Sequence, residues 1–405
     1  MESVVIEWVS LITRWTHITA GIAWIGSSFY FMHLDAALRS IPEIPAGKGG
    51  EAWEVHGGGF YQVRKYLVAP AQMPDHLIWH KWQAYSTWLS GIFLLGWIYY
   101  LGADLYLVDP AVRALTPLQA TGIGIGSLIV GWLVYDGLVR SPLAKHEMAL
   151  AAVGFAFVVF MAWFYQQVFS GRGAMIHTGA LMGTMMVGNV FLNIIPNQRK
   201  VVAELIAGRV PNPAYGKQAK TRSTHNNYLT LPVLFLMLSN HFALVYTSPY
   251  AFVIVGLVLV AGALVRVFYN VRHAGKGDPW WTWGVAAVCV AAAIVISALT
   301  APAAREQLGL DTLPESAALE GAPQAPEDVV AIVQGRCAMC HAETPAWPGI
   351  NVAPKGVLLD TPEHIALWKP RIVLYAGETN AMPPNNISEI TPEERHALVQ
   401  WASAK

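Results

Sequence analysis

Three residues near the carboxyl end have types and a spacing that could do chemistry: Cys337, Cys340 and the histidine that follows directly, His341. Two thiols separated by two residues can form thioethers with the vinyl groups of a haem, and the adjacent histidine can then ligate the iron. The same pattern could instead be a redox-active cysteine pair or half of a zinc site. Because the chain has only three cysteines, no second pair is present to complete a zinc site, and we expect a covalently attached haem c.

A haem of this kind needs a second axial ligand, and Met382 is the best-placed candidate. It precedes two prolines, which favour a rigid, extended loop that could carry the thioether to the open face of the haem. His364 and His396 are rival ligands, although we expect both to be surface histidines. The predicted iron ligands are therefore His341 and Met382.

The composition indicates what kind of chain must hold this haem. Hydrophobic residues make up 54% of the sequence and charged residues only 13%, whereas soluble domains contain about 25% charged residues. This difference argues against a soluble enzyme and for a protein of the lipid bilayer. The equal numbers of basic and acidic residues, 26 each, also argue against a nucleic-acid-binding protein.

Apolar runs of about 20 residues, the length that crosses a bilayer as a helix, fill most of the first 300 residues. We predict an all-α fold: an eight-helix transmembrane bundle in residues 1–300, an Ala/Pro-rich linker in 301–325 and a small domain in 326–405. The last segment resembles a class I mono-haem cytochrome c. The eight runs lie at about 6–33, 84–106, 118–139, 148–169, 174–195, 228–247, 250–271 and 280–300.

The basic residues between these runs predict the orientation of the chain. Lys and Arg are concentrated in the segments that follow the first, third, fifth and seventh runs, and segments rich in these residues usually face the cytoplasm. Both termini then face the outside, which in a bacterium is the periplasm. We therefore expect a multi-pass protein of the bacterial inner membrane with its haem domain on the periplasmic side.

Ionisable side chains inside the predicted bundle are costly to place in lipid and are therefore candidates for function. Arg14 and His17 lie one turn apart on the first helix, while His177 and His241 fall near the periplasmic ends of later helices. Three interpretations remain open. These residues could hydrogen-bond between helices and stabilise the bundle, hold a second redox centre such as a b-type haem or a copper ion, or form a site for an organic substrate.

Three segments within the first 91 residues, together with the haem motif, resemble the bacterial membrane-bound, cytochrome-c-linked urate oxidases, also called urate hydroxylases. The resemblance covers essentially the whole chain. Only the membrane segments point to urate, because the haem motif is common to many cytochromes. These segments are WTHITAGIAWIG at residues 15–26, GGGFYQV at 57–63 and KWQAYSTWLSG at 81–91.

The resemblance implies oxidation of urate to 5-hydroxyisourate in purine breakdown, with electrons passing to a cytochrome instead of to O2 and no hydrogen peroxide formed. It implies roles only for Cys337, Cys340, His341 and Met382, as the residues that attach and ligate the haem. The expected partners are urate, the lipid bilayer and a respiratory-chain acceptor such as a cytochrome or terminal oxidase. No nucleic acid is expected.

The residues that bind urate do not follow from the resemblance. Arg14, His17 and His241 are the catalytic candidates on physical grounds, since a cation and a proton acceptor suit the oxidation of a purine anion. Two alternatives remain open: a dehydrogenase for quinol or another small molecule with the same architecture, and a membrane-anchored electron carrier without enzyme activity.

Overall fold

The computed structural model describes residues 2–44, 49–67, 70, 73–109, 112–246, 248–300, 325–348, 350, 352–378, 382–383 and 386–403. The linker expected in residues 301–325 lies outside these ranges except for Ala325. Most described residues are helical. The largest apolar core belongs to the residues before 300, and a separate core belongs to those from 325 onward.

The first 300 residues form a bundle of long helices. Helix α1 spans Glu2–Ala37 and packs along α2, Trp82–Leu94, which is followed by the short helix α3, Ala103–Tyr106. The remaining helices of this part are α4 (Pro117–Arg140), α5 (Glu147–Gln166), α6 (Gly171–Gly188), α7 (Ile195–Ile206), α8 (Pro213–Ser239), α9 (Ala243–Tyr246), α10 (Ala251–His273) and α11 (Trp281–Thr300).

Each apolar run found in the sequence coincides with helical structure, and five described helices are long and apolar enough to cross a membrane. These five are α4, α5, the continuous helical stretch Gly171–Ile206, α10 and α11. Helix α8 is not among them because its first half is polar and carries Lys217, Lys220 and Arg222. The chain is therefore compatible with a multi-pass membrane protein, and additional spans at α1, α2 and α8 stay predictions.

Short π-helical turns interrupt the regular helices at three places in the described chain. Leu95–Tyr100 continues α2 and contains Tyr99, and Asn189–Ile194 joins α6 to α7. The third turn, Val373–Glu378, lies in the carboxyl-terminal part and contains Tyr375. A π turn inserts an extra residue and redirects the neighbouring side chains, which is why such turns are frequent at functional sites.

The all-α expectation is wrong in one segment, because an antiparallel hairpin lies between α1 and α2. Strand β1 (Gly49–His56) pairs with β2 (Gly59–Tyr66) along their full lengths. Gly57 and Gly58 form the turn with φ angles of 60° and 80°, which glycine adopts without strain and which a tight two-residue hairpin turn requires. The apolar runs predicted from the sequence leave residues 34–83 between the first two helices, and no strand was predicted there.

The residues from 325 onward pack around Val333, Ile365 and Leu398, all fully buried. This part lies against the bundle, where α9 packs on the short turn Pro354–Gly356. Its helices are α12 (Glu327–Arg336), α13 (Ala338–His341), α14 (Pro362–Leu367), α15 (Lys369–Ile372) and α16 (Pro392–Ser403).

Candidate functional site

The four predicted haem residues line one cleft in the carboxyl-terminal part. Cys337, Cys340, His341 and Met382 face a space of about 1030 Å³, part of which is open to solvent. The mainly apolar lining suits a ligand with an apolar body. Its apolar walls include Val357, Leu359, Ile372, Ala376 and Ile387.

A single helical turn brings the two cysteines and the histidine together. The N–H of Cys337 donates to the carbonyl of Val333 at 2.8 Å and so continues the ladder of α12. The N–H groups of Cys340 and His341 both donate to the carbonyl of Cys337, at 3.1 and 3.0 Å. Because residues three and four apart share one side of a helical turn, both thiols and the imidazole reach the same cleft.

The imidazole of His341 is held in one tautomer. Its Nδ1 lies 2.9 Å from the carbonyl oxygen of Val357, and because a carbonyl can only accept, Nδ1 carries the proton. Nε2 then has the lone pair, which is the form of histidine that ligates a metal ion. The carbonyl of Val357 also fixes the orientation of the ring, as such hydrogen bonds do for metal-ligating histidines.

Backbone hydrogen bonds hold Met382 at the cleft. Its N–H donates to the carbonyl of Tyr375 at 2.8 Å, and its carbonyl accepts from an arginine on α16 at 2.9 Å. The partly buried side chain packs on the apolar core and lines the cleft. The rival ligands do not line it: His364 is hydrogen-bonded to Asp360 at 2.7 Å, and His396 is exposed.

The surroundings of the thiols argue against a redox-active cysteine pair. Burial raises the pKa of Cys337 to about 12 and also raises the pKa of Cys340, whereas redox-active pairs lower a thiol pKa to form the thiolate. Within the described ranges, no group of three or more His, Cys, Asp or Glu residues could hold a metal ion. The two thiols, the imidazole and the thioether that line the cleft are the groups that could hold a haem c.

The bundle contributes Tyr106 and Arg172 to the wall of the same cleft. Ser170 joins their two helices, because its hydroxyl donates to the carbonyl of Tyr106 at 2.8 Å and accepts from the N–H of Gly173 at 3.1 Å. This serine thus caps α6 and ties its start to α3. The hydroxyl of Tyr106 lies 2.9 Å from the hydroxyl of Tyr375, which joins the bundle to the carboxyl-terminal part by a hydrogen bond.

His177 lies fully buried in the bundle, with an exposed fraction of 0%. Its Nδ1 donates to the carbonyl of Gly173 at 2.8 Å, and the rings of Phe169 and Tyr165 lie 4.6 and 5.6 Å from its own. These aromatic neighbours favour the interpretation that His177 stabilises the packing of the bundle.

The three catalytic candidates have different surroundings. Arg14 on α1 and His241, just beyond α8, are exposed. His17 is partly buried, and its Nδ1 lies 2.9 Å from the carbonyl of Thr87 and 3.1 Å from the hydroxyl of Ser90, both on α2. His17 therefore joins α1 to α2.

Sequence reasoning missed a polar network that is buried in the bundle. The amide of Asn189 donates to the hydroxyl of Tyr135 and to the carbonyl oxygen of Asn226, both at 2.8 Å. Its own oxygen accepts from Arg222 at 3.0 Å, and Arg222 also donates to Asp136 at 2.5 Å. The partners of Asn189 come from α4 and α8, and no spacing in the sequence connects them.

Comparison with known proteins assigns the larger part of the chain. A family model described as "Urate oxidase N-terminal" matches residues 3–297. No curated protein and no solved structure matches the chain. The matched region contains the bundle with Tyr106 and Arg172, while the two cysteines, His341 and Met382 lie beyond it.

Proposed function

Because the chain belongs to the urate oxidase N-terminal family, we propose that it oxidises urate to 5-hydroxyisourate and delivers the electrons through a covalently bound haem c to a respiratory-chain acceptor. The observation that carries this proposal is the shared cleft. Its walls combine the haem motif of the carboxyl-terminal part with Tyr106 and Arg172 of the region that matches the family. A site of urate oxidation in the bundle would thus have an electron acceptor directly beside it.

The residues that would hold the haem follow from the cleft. Cys337 and Cys340 would form the thioethers, while His341 and Met382 would ligate the iron from opposite faces. When bound there, the haem supplies a one-electron acceptor whose potential the methionine ligand raises relative to two histidines. The carboxyl-terminal part would then be a class I cytochrome c domain joined to an eight-helix membrane domain.

The reaction balances without O2 as the electron acceptor. Urate and one water molecule give 5-hydroxyisourate, two electrons and two protons, and the new hydroxyl oxygen comes from water. Hydrogen peroxide is therefore not a product. A cation stabilises the urate anion and a base takes up protons as water attacks C5, and we propose Arg14, His17 and His241 for these tasks.

Aromatic rings connect the neighbourhood of Arg14 to the cleft and support this arrangement. Arg14 interacts electrostatically with Tyr99, whose ring centroid lies 6.1 Å from that of Tyr106. The hydroxyl of Tyr106 in turn contacts Tyr375 in the wall of the cleft. Urate bound near Arg14 would not be separated from the haem by the full hydrocarbon thickness of about 30 Å.

The proposed location is the bacterial inner membrane, with both termini in the periplasm. The distribution of Lys and Arg supports it, and so does the position of the cleft. Tyr106 and Arg172 lie at the ends of α3 and α6 that the charge distribution assigns to the periplasmic side. A haem in the cleft would then face periplasmic electron carriers.

The test is electron transfer from urate to added cytochrome c in detergent-solubilised protein without O2. We expect cytochrome c reduction that depends on urate, with two cytochromes reduced per urate, and no reduction in the variant that carries both Cys337→Ala and Cys340→Ala. Reduction by quinol but not by urate would favour the quinol dehydrogenase, and reduction by neither would favour a simple electron carrier. Either result would overturn the proposal.

A matched pair of variants separates catalysis by His17 from helix packing. Ser90→Ala removes one hydrogen-bond partner of His17 but keeps the imidazole, whereas His17→Ala removes the imidazole itself. A catalytic role predicts that only His17→Ala reduces urate turnover strongly. Equal, small effects of both variants would assign His17 to the packing of α1 on α2.

A further inference from the structure

Two arginines from distant parts of the chain share one aromatic ring in the wall of the cleft. The guanidinium carbon of Arg371 lies 4.7 Å from the ring centroid of Tyr106, and that of Arg172 lies 5.5 Å from the same centroid. Arg371 also stacks on Trp368 at 4.3 Å. The two positive charges are therefore held near each other, one by α15 and the other by α6.

No carboxylate balances this pair within the described part of the chain. Neither Arg172 nor Arg371 has an ion-pair partner there. Arg371 is only 8% exposed, and its Nε is buried without a hydrogen-bond partner. Burial and the charge of Arg172 lower the pKa of Arg371 to about 10, so the site is short of negative charge.

Arg336, the third arginine that lines the cleft, has a counter-ion, which Arg172 and Arg371 lack in the described chain. Arg336 is paired with Glu394 at 3.1 Å and donates to the carbonyl of Ser388 at 2.9 Å. Its charge and its donors therefore have partners in the protein. Arg172 donates from Nε to the backbone carbonyl of Asn240 at 3.2 Å, whereas the Nε of Arg371 has no hydrogen-bond partner in the described chain. A buried guanidinium is stable only when a counter-ion and hydrogen-bond acceptors accompany it.

We propose that Arg172 and Arg371 bind the two propionate carboxylates of the haem, so that the cofactor joins the membrane bundle to the carboxyl-terminal part. This inference rests on the proposed function, since it needs a haem in the cleft. A haem carries both carboxylates on one edge, and the same cleft presents the thiols and iron ligands that would hold its body. Two guanidinium groups match two carboxylates in charge and in hydrogen-bond geometry.

Urate is also an anion and could occupy the same arginines, so the experiment must distinguish the two sources of negative charge. The variants are Arg371→Gln and Arg172→Gln in the full-length protein, and the measurement is the midpoint potential of the haem. Loss of either cation leaves a carboxylate uncompensated and favours the ferric state. We expect the equilibrium constant for reduction to fall roughly tenfold in each variant, which is a drop of about 59 mV for a one-electron couple.

Lys369→Gln is the matched control, because Lys369 lies on the same short helix as Arg371 but does not line the cleft. It should change the equilibrium constant less than twofold. Arg371→Lys keeps the charge and should stay close to the wild-type potential. Resonance Raman spectra should show a shifted propionate bending band in the two glutamine variants and not in Lys369→Gln.

Potentials of both glutamine variants equal to that of Lys369→Gln would overturn this inference while the proposed function stands. A raised KM for urate with an unchanged potential would also overturn it and would assign the arginines to substrate. If Arg371→Gln does not fold, the potential of Arg172→Gln still decides the question. Wild-type protein without covalent haem would refute the proposed function, and this inference with it.

Discussion

The ion pairs of Asp136 predict how far the free energy of unfolding falls when this carboxylate is replaced. Asp136 binds two arginines, Arg222 at 2.5 Å and Arg140 at 2.6 Å. The side chain of Arg222 is 4% exposed, whereas that of Arg140 is 65% exposed. One carboxylate thus pairs with a buried charge and with a surface charge, and the two pairs should contribute very differently to stability.

We expect Asp136→Asn to lower the free energy of unfolding by about 3 kcal/mol. The substitution preserves the shape of the side chain but leaves the guanidinium of Arg222 buried without a counter-charge, and losing one partner of a buried pair costs about 3–5 kcal/mol. We take the lower limit of this cost because Asn189 still accepts a hydrogen bond from Arg222 at 3.0 Å. Arg140→Gln removes only an exposed pair and should cost about 0.5 kcal/mol.

The assay is unfolding in mixed detergent micelles, followed by far-UV circular dichroism on both variants and the wild type. The expected difference between the two variants is about 2.5 kcal/mol. If the two free energies agree within about 1 kcal/mol, Arg222 does not depend on Asp136 as its counter-ion, and the reasoning about the network is wrong.

The other predictions concern the haem and the urate site. The double substitution Cys337→Ala, Cys340→Ala should abolish covalent haem, and peroxidase staining that survives denaturing electrophoresis would refute attachment at these thiols. Met382→Ala should lower the midpoint potential of the haem and open the iron to carbon monoxide, and an unchanged potential would assign the sixth ligand elsewhere. His17→Ala or Arg14→Ala should reduce urate turnover without changing the haem spectrum, whereas unaltered rates in both would remove them from the site.

The grouping of Cys337, Cys340 and His341 could be predicted because their spacing in the sequence is short enough to place them on one helical turn. Cys337, Cys340 and His341 lie within one turn of chain, as two thioethers and an adjacent ligand would require, and the structure brings them to one cleft. The haem itself stays a prediction. The apolar runs could also be predicted: each coincides with helical structure, and five described helices are long and apolar enough to cross a membrane. Constraints of this kind act between residues that are close in the sequence. They can therefore be recognised without knowledge of tertiary contacts.

The wall that the bundle adds to the cleft could not be predicted in the same way. Tyr106 and Tyr375 are 269 positions apart, and no spacing rule connects residues that meet only through packing. Arg172 did leave a weak signal, as a lone basic residue on the side of the bundle assigned to the periplasm. The hairpin was missed for a different reason, because apolar runs of bilayer length do not reveal short strands joined by a tight turn such as Gly57-Gly58.

The most direct test of electron transfer from urate to the proposed haem is an anaerobic absorption spectrum of the purified protein before and after urate is added. We expect reduced c-type bands to develop when urate is added and to be lost in the variant without Cys337 and Cys340. An additional b-type band would reveal a second redox centre in the bundle. A protein that binds haem covalently but stays oxidised in the presence of urate would contradict the claim that the bundle feeds electrons from urate into the cleft.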